Sequence, residues 1–355
     1  MPAVITVTTA ADDLTPNDGT VSLREAITAI NAGNDLGDPD VIAQHPGTFG
    51  SNDAIHFNIP GAGVHTIHLL GSTLDIKNAL TIDGTGSGIT INGGGNRVFT
   101  IETGKVVING LTITGGIAPS SASGGGIYNK GFLSLSNSTV TGNSADNSAG
   151  VYNDITGTMF MSGDTVNNNT ATASVGGGVG NVGTLEIINC TIAANNANRG
   201  GGIANTGVLS VSNSTVAFNT VTGAGSDGGG IDTFGGSDQL SLLNTIVYNS
   251  NSGATTTNEV LGTNAQAQSL IYGPGPYKVA PGGDHGGSFI GFDPKLGPLQ
   301  NNGGDTATMA LLPGSPAIGH GATMSMIPGL GGWWRSISVA TRALPIALTS
   351  APSRR

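Results

Sequence analysis

The stretch GGGIYNKGFLSLSNSTVTGN at residues 124–143 decides the fold, because versions of it recur along the chain up to residue 247. Its first half is a glycine-rich phrase with one apolar residue, and its second half alternates apolar and polar residues before a polar turn. The apolar residues of the first phrase are 24 or 28 residues apart, at Ile127, Val151, Val179, Ile203 and Ile231. A column in the second phrase steps by 26, 26, 24 and 31 residues, through Leu135, Met161, Ile187, Val211 and Leu242. Such a period indicates a repeat architecture.

The repeat predicts a solenoid of parallel strands. Short alternating pieces between Gly, Asn and Ser turns predict three strands of three to five residues in each coil. Coils stacked in parallel about 4.8 Å apart place like residues above like residues. The predicted fold class is therefore all-β, a right-handed parallel β-helix of about 26 residues per coil, its hand taken from the rule for parallel crossovers.

Asparagine recurs at fixed positions of the repeat. Asparagine tolerates left-handed backbone, and its amide both donates and accepts along a stack, so we expect structural ladders and not ligand sites. The first ladder is Asn137, Asn189, Asn213 and Asn244, interrupted by Gly163. The second is Asn143, Asn169, Asn195, Asn219 and Asn249, and the third is Asn129, Asn153, Asn181 and Asn205.

The segment SLREAITAINAG at 22–33 predicts a helix, because Ser22 and Glu25 form a capping box ahead of an apolar stripe. A solenoid has open ends that must be covered, so we expect this helix to cap the first coil. The predicted regions are an N-terminal strand and capping helix at 1–54, parallel coils at 55–250, a loop-rich C-terminal cover at 251–330 and an atypical tail at 331–355.

Composition excludes several classes of protein. A net charge of −10 disfavours nucleic acid and anionic membranes as partners. Regular aliphatic residues with only 10% charged residues argue against disorder, and no apolar run is long enough for a transmembrane helix. The single cysteine, Cys190, excludes an intrachain disulfide framework. The N-terminus lacks the features of a secretory signal, so we expect either that the protein is not exported by that route or that this start lies after a removed signal.

Two segments resemble known bacterial families. VSLREAITAINAG (21–33) resembles the N-terminal signature of the proteins named for the motif Cys-Ser-Leu-Arg-Glu-Ala, with Val21 at the cysteine position. DPKLGPLQNNGGDTATMALLPGSPAIGHGA (293–322) resembles the C-terminal region of the choice-of-anchor Q proteins. The resemblance implies an exported or cell-surface right-handed parallel β-helix, related in architecture to pectate lyases and autotransporter-like adhesins, and it carries over no catalytic residue. The sequence departs from this pattern after about residue 322, and we interpret the tail as either frameshifted or a divergent surface segment.

Candidate catalytic chemistry is sparse. Polysaccharide lyases on this architecture need carboxylates that hold Ca²⁺ and an Arg or Lys base. The best cluster is Arg199, Asp227 and Asp232, in which Arg199 and Asp227 each lie just before a glycine phrase and should stack one coil apart. A surface ion pair is the simpler interpretation of this cluster.

Metal and thiol chemistry have only weak candidates. Weak Ca²⁺ ligands are Asp35, Asp38, Asp40 and Asp53, for which an acidic solvated loop is the alternative. His56 and His68 are predicted to face outward and to share a sheet face as a weak metal pair. Cys190 occupies a small polar position of the repeat, so we interpret it as a packing residue and not as a nucleophile.

The sequence therefore favours a non-catalytic, monomeric, secreted or cell-surface protein, an adhesin-like or glycan-binding scaffold. Its expected partner is a polysaccharide or a cell-envelope component, with no required cofactor and Ca²⁺ as an optional ligand. The alternative is a polysaccharide lyase or glycoside hydrolase acting on an acidic polysaccharide, since β-helix grooves also bind extended sugars. An ice-binding protein is less favoured, because a column of Thr139, Thr165, Thr191 and Thr215 is broken by Ile246.

Overall fold

The computed structural model describes residues 2–44, 46–50, 52–223, 228–235, 239–248, 250–252, 260–261, 265–268, 271–272 and 289–321. By its internal contacts the chain divides into Met1–Ala322 and Thr323–Arg355. The second unit contains the predicted atypical tail and lies outside the described residues, as does most of the predicted cover between 253 and 288.

The first unit is a parallel β-solenoid of about seven turns, with equivalent strands about 26 residues apart, as the repeat predicted. Parallel sheets run along its length, and we number them in the order in which the coil at 127–145 visits them. Sheet 1 contains Leu74–Ile76, Phe99–Ile101, Ile127–Asn129, Val151–Asn153, Val179–Asn181, Ile203–Asn205, Ile231–Thr233 and Val260–Leu261. Sheet 2 contains Val4–Val7, Asp53–Phe57, Leu80–Asp83, Lys105–Asn109, Phe132–Ser136, Thr158–Ser162, Thr184–Ile188, Val208–Ser212, Gln239–Leu243 and Ala265–Gln268.

Two further sheets complete the coils. Sheet 3 contains His65–His68, Ile89–Asn92, Leu111–Thr114, Thr139–Thr141, Thr165–Asn167, Thr191–Ala193, Thr215–Ala217, Ile246–Tyr248, Ile271–Tyr272 and Phe289–Ile290. Sheet 4 contains the two-residue strands Ser144–Ala145, Thr170–Ala171, Asn196–Ala197, Thr220–Val221 and Asn251–Ser252.

The predicted three strands per coil describe only the coils before Ser144, and the later coils add the short strand of sheet 4. The extra strand forms because its alanines bury a small apolar cluster of their own, separate from the main core. Members of this cluster include Ala118, Ala145, Ala149, Ala171 and Ala197.

The main core is built from files of aliphatic side chains. Side chains alternate between the two faces of a strand, so every second residue of sheet 2 points inward. Leu135, Met161, Ile187, Val211 and Leu242 are paired in register and at most 1% exposed, which confirms the predicted column. Burial of each such side chain contributes about 1.5–3 kcal/mol.

Helix α1 (Leu23–Ala32) covers the start of the solenoid. Ser22 and Glu25 form the predicted capping box, and Gly33 ends the helix in a left-handed conformation (φ 72°). The buried face of α1 contacts the strands Val4–Val7, Asp53–Phe57 and Leu74–Ile76. A second helix, α2 (Pro39–Ala43), was not predicted, and it is capped by the Asp38 side chain. Across the described ranges, no helix has the length and apolar character needed to cross a membrane.

The described C-terminal residues form an antiparallel hairpin of Leu296–Gln300 and Thr308–Leu311. This C-terminal hairpin lies on a lateral face of the solenoid. The Thr306 hydroxyl donates to the Gly163 carbonyl at 2.7 Å, and the Thr165 hydroxyl donates to the Ala307 carbonyl at 2.6 Å. The hairpin therefore contacts the side of a central coil.

Candidate functional site

The second asparagine ladder is a buried structural stack. The Asn169 side-chain amide donates to Asn195 Oδ1 at 2.9 Å and to the Val140 carbonyl at 3.0 Å, and its backbone N–H donates to the same Asn195 Oδ1 at 3.0 Å. The same pattern joins Asn143, Asn169, Asn195 and Asn219. Asn249 lies outside the described residues, and Ser250 beside it accepts from the Asn219 N–H. These amides are saturated by protein groups, so they are not available to a ligand.

The third ladder is equally buried. The side-chain amides of Asn129, Asn153 and Asn181 each donate to the asparagine of the next coil at 2.7–2.8 Å, ending at Asn205. The backbone of the same residues is paired in register within sheet 1.

The first ladder lies on the surface, where the Asn137 amide donates to Asn109 Oδ1 at 3.0 Å and the Asn244 amide donates to Asn213 Oδ1 at 3.1 Å. Asn137, Asn189, Asn213 and Asn244 have φ between 48° and 54°, and Gly163 (φ 70°) and Gly110 (φ 69°) occupy the same turn in other coils. Glycine and asparagine are the residues that adopt this left-handed conformation most readily. These asparagines therefore turn the chain from sheet 2 to sheet 3.

The structure brings together two of the three candidate catalytic residues. Arg199 Nε lies 2.9 Å from Asp232 Oδ2, and its guanidinium lies 4.8 Å from the centre of the Phe234 ring. The Asp232 side chain is fully buried, whereas that of Arg199 is 40% exposed. Asp227, the expected stacking partner of Arg199, lies outside the described residues. The arrangement pairs a base with a buried acid, as an ion pair of the scaffold does.

The candidate Ca²⁺ ligands are each bound to backbone N–H groups. Asp35 Oδ1 accepts from Gly37, Asp38 Oδ1 accepts from Asp40 within the α2 cap, and Asp40 Oδ2 accepts from Gly19. Asp53 is buried in sheet 2, where it accepts from Ala3 and Gly50. In the part of the chain that the structure describes, no three acidic, histidine or cysteine side chains cluster as metal ligands.

The remaining candidates lie apart. His56 is on sheet 2 beside Asp83 and His68 is on sheet 3 beside Asn92, so the prediction of a shared face was wrong. The two histidines belong to different strands of one coil, and the turn between the strands directs them to different faces. Cys190 is buried, its sulfur accepts from the Asp164 N–H at 3.4 Å, and burial raises the pKa of its thiol well above the usual range.

The threonine column is longer than the sequence indicated. Seven consecutive coils place a threonine at this outward position of sheet 3, and the C-terminal hairpin contacts the column at Thr165. Thr165 and Thr191 are buried, at 1% and 4% exposure, so the column is not one open flat face. We call this set the threonine column: Thr66, Thr90, Thr112, Thr139, Thr165, Thr191 and Thr215.

Two pairs of aromatic residues that the sequence did not predict flank the turn from sheet 1 to sheet 2. On sheet 1, Tyr128 and Tyr152 are register neighbours whose ring centres lie 5.2 Å apart. The Tyr128 hydroxyl donates to Asp154 Oδ2 at 2.8 Å, and the Arg97 guanidinium lies 4.7 Å from the Tyr128 ring centre. Burial, and for Tyr128 the bond to Asp154, raise the pKa of both phenols, so both stay protonated at neutral pH.

On sheet 2 the second pair is Phe132 and Phe160. Their ring centres are 5.4 Å apart, although Phe132 pairs with Thr158 and the two rings are therefore diagonal neighbours. Lys105 Nζ lies 5.7 Å from the centre of the Phe132 ring, within the range of a cation–π contact. All four aromatic rings are partly exposed.

Lys130 and a longer turn mark the corner itself. Lys130 Nζ lies 5.3 Å from the Tyr128 ring centre and 2.9 Å from Glu102 Oε2, and this ion pair is 38% and 37% exposed. The turn at 154–157 has four residues where the turn 182–183 has two, and it projects Ile155, which is 73% exposed. We call the aromatic corner the set Tyr128, Tyr152, Phe132, Phe160, Lys105, Lys130 and the turn 154–157.

The aromatic corner has the composition of a surface that binds flat ligands with polar edges. Partly exposed aromatic rings supply apolar area, and nearby ammonium, carboxylate and hydroxyl groups supply directed hydrogen bonds. Tyr128 and Tyr152 hold the same place in the phrases GGGIYN and AGVYN, so the sequence contained a signal for that pair. Phe132 and Phe160 hold different places in their repeats, so alignment of the repeats does not join them.

In comparisons with known proteins, no family model, no curated protein and no solved structure matches the chain. The parallel β-solenoid with its asparagine ladders rests on the structure alone.

Proposed function

We propose that the chain is a non-catalytic, adhesin-like glycan-binding scaffold, secreted or displayed at a bacterial cell surface. The aromatic corner is the observation that carries this proposal. We also propose that the chain belongs with the proteins named for the Cys-Ser-Leu-Arg-Glu-Ala motif and with the choice-of-anchor Q proteins, which it resembles at residues 21–33 and 293–322.

The aromatic corner fits the chemistry of a sugar ring. One face of a pyranose presents C–H groups that stack on an aromatic ring, while its rim presents hydroxyls. Tyr152 and Phe160 supply partly exposed rings on the two sides of the corner, and Lys130 forms an ion pair with Glu102 beside the Tyr128 ring. Coils about 4.8 Å apart let neighbouring rings contact more than one unit of an extended glycan.

The residues of the Ser-Leu-Arg-Glu-Ala segment support the proposed family, because each has a part in closing the solenoid. Leu23 and Ala26 are on the buried face of α1. Arg24 forms two bonds to the Asp12 carboxylate at 2.7 and 2.9 Å and donates to the Ser72 carbonyl at 2.7 Å. A motif that holds the capping helix on the first coil suits a group of proteins that share the solenoid and differ in the residues of its lateral faces.

The proposal is tested by binding of the full chain to a panel of polysaccharides, in pull-down with insoluble polymers and in affinity electrophoresis with soluble ones. We expect retention by at least one polymer, and we expect Tyr152→Ala and Phe160→Ala each to weaken it about tenfold, since each removes a stacking ring. Phe218→Ala is the matched control, because Phe218 is an exposed aromatic that follows sheet 3 and lies outside the corner. Equal binding by all three variants would contradict the proposal.

The same samples test the rival, a lyase or glycoside hydrolase on acidic polysaccharide. A lyase acting on pectin or alginate with Ca²⁺ makes unsaturated uronates that absorb in the ultraviolet, and a hydrolase releases new reducing ends. Product in either assay would contradict the non-catalytic scaffold and would support the enzyme. Binding without product supports the scaffold.

A further inference from the structure

A shallow groove continues from the C-terminal hairpin along the uncovered part of sheet 3. Its floor contains Thr90, Thr112 and Thr139 of the threonine column, and the turn 84–88 forms one wall. Asp305, in the turn of the hairpin, lies at the end of the groove where the hairpin begins to cover the face. We call this the threonine groove.

One coil further along, the C-terminal hairpin itself is bound to sheet 3, and its contacts show which groups this face can bind. There Thr165 donates its hydroxyl to a peptide carbonyl, and the Gly163 carbonyl accepts from a threonine hydroxyl. The residue at the position of Gly163 is Asn137 one coil earlier and Gly110 two coils earlier, all with left-handed backbone. At the position of Thr165 the earlier coils have Thr139 and Thr112.

We propose that the threonine groove is a docking site for an extended polypeptide segment with mostly small and uncharged side chains, like segment 301–311 of the C-terminal hairpin, bound in line with that hairpin. Two coils present the same hydroxyl and turn position that hold Thr306 and Ala307 in the next coil. An extended chain advances about 3.3 Å per residue, and the coils are about 4.8 Å apart. A peptide along the groove therefore passes from one coil to the next every one or two residues.

The lining of the groove favours a peptide over a glycan. Of the described residues that line it, Asp305 alone carries a charge, and none is aromatic. Gly84, Gly86, Gly88 and Gly110 contribute backbone without side chains to the wall, which allows close approach of another main chain. The groove is on sheet 3, so its ligand is separate from the ligand of the aromatic corner.

The test uses the chain's own docked sequence as the probe. A fluorescein-labelled peptide of residues 301–311, NNGGDTATMAL, is titrated with the full chain and followed by fluorescence anisotropy. We expect saturable binding that weakens about tenfold in the double variant Thr112→Val and Thr139→Val, since valine keeps the branched shape and removes both hydroxyls. Thr215→Val is the matched control from the same column and should bind as the unaltered chain does.

Four results would overturn the proposal. One is no saturable binding up to millimolar peptide, and another is equal affinity for the double variant and the unaltered chain, with unfolding curves showing that both are folded. The third is a loss caused by Thr165→Val alone, which would mean that the peptide displaces the hairpin in place of entering the groove. Displacement of the peptide by a neutral polysaccharide such as dextran would assign the groove to a glycan and would also overturn it.

Discussion

At the scale of single residues, one position in the turn from sheet 2 to sheet 3 accommodates different polar side chains in successive coils: Ser138, Asp164, Cys190 and Ser214. Each of these side chains accepts a hydrogen bond from a backbone N–H of the coil before it. Asp164 accepts from Ser138 at 2.8 Å, Cys190 accepts from Asp164, and Ser214 accepts from Cys190 at 3.1 Å. Asp164 is the one ionisable carboxyl in this series. Burial raises its pKa to about 8, although N–H groups of Ser138 and Ser162 act in the opposite direction.

This raised pKa predicts a pH-dependent stability. Between about pH 4 and pH 8 the folded chain holds a proton on Asp164 that the unfolded chain releases, so the free energy of unfolding falls as pH rises through that window. One such group contributes at most about 1.4 kcal/mol per pH unit. We expect Asp164→Ser to remove this part of the slope, because serine occupies the same position as Ser138 and Ser214. Urea unfolding of both proteins between pH 4 and pH 9 measures it.

Glu25 is a second buried carboxyl with a raised pKa, so the pH dependence of the unaltered chain alone does not isolate Asp164. Burial also raises the pKa of Glu25, to about 7, and its Oε1 is buried without a hydrogen-bond partner. Both proteins retain Glu25, so the difference between their slopes isolates Asp164. Identical slopes for the two proteins would contradict the assignment of a raised pKa to Asp164.

At the scale of elements, α1 acts as a fastened lid. Its apolar face follows from helical periodicity, and its ends follow from the capping box and Gly33. Arg24 adds a connection that periodicity does not describe, since it joins the loop at Asp12 to the turn at Ser72. The Asp12 side chain is 1% exposed, and its carboxylate also accepts from the Leu70 N–H at 2.8 Å.

Removal of this connection should be costly. We expect Arg24→Ala to lower the free energy of unfolding by about 3 kcal/mol, because it leaves a buried carboxylate without its cation. Lys77→Ala is the control: Lys77 is an exposed cation in the coil that α1 contacts, and its loss should change stability by less than about 0.5 kcal/mol. Equal effects of the two substitutions in chemical unfolding would refute the role given to Arg24.

At the scale of the whole molecule, the solenoid is held mainly by contacts between adjacent coils, and the C-terminal hairpin adds contacts over 140 residues of sequence. The two hydroxyl bonds between the hairpin and the coil at 163–165 join positions 142 and 143 residues apart. In repeat architectures stability is largely a sum of neighbouring interfaces. The lateral hairpin therefore adds stabilising contacts that are separate from the interfaces between adjacent coils.

Loss of one of these bonds should loosen the hairpin and leave the coils unchanged. We expect Thr306→Val to weaken hairpin docking by about 1 kcal/mol, because the Gly163 carbonyl loses its donor. Hydrogen exchange of the amides at Thr308–Leu311 should then become roughly fivefold faster, while amides of Thr184–Ile188 in sheet 2 keep their rates. Thr184→Val, an exposed change on sheet 2, is the matched control. Faster exchange in both regions would show that the hairpin supports the whole solenoid.

The sequence by itself determined the features that repeat or that are local. Recurrent apolar positions specify the columns of buried side chains, because parallel stacking places equivalent residues next to one another. The capping box specifies the start of α1, because its two groups are only three residues apart. Tertiary structure alone decided the features that join unlike positions of different coils. Phe132 and Phe160 meet diagonally, and the C-terminal hairpin binds the coil at 163–165. Such contacts depend on turn lengths and on how the chain returns along the solenoid, and no periodicity in the sequence contains either.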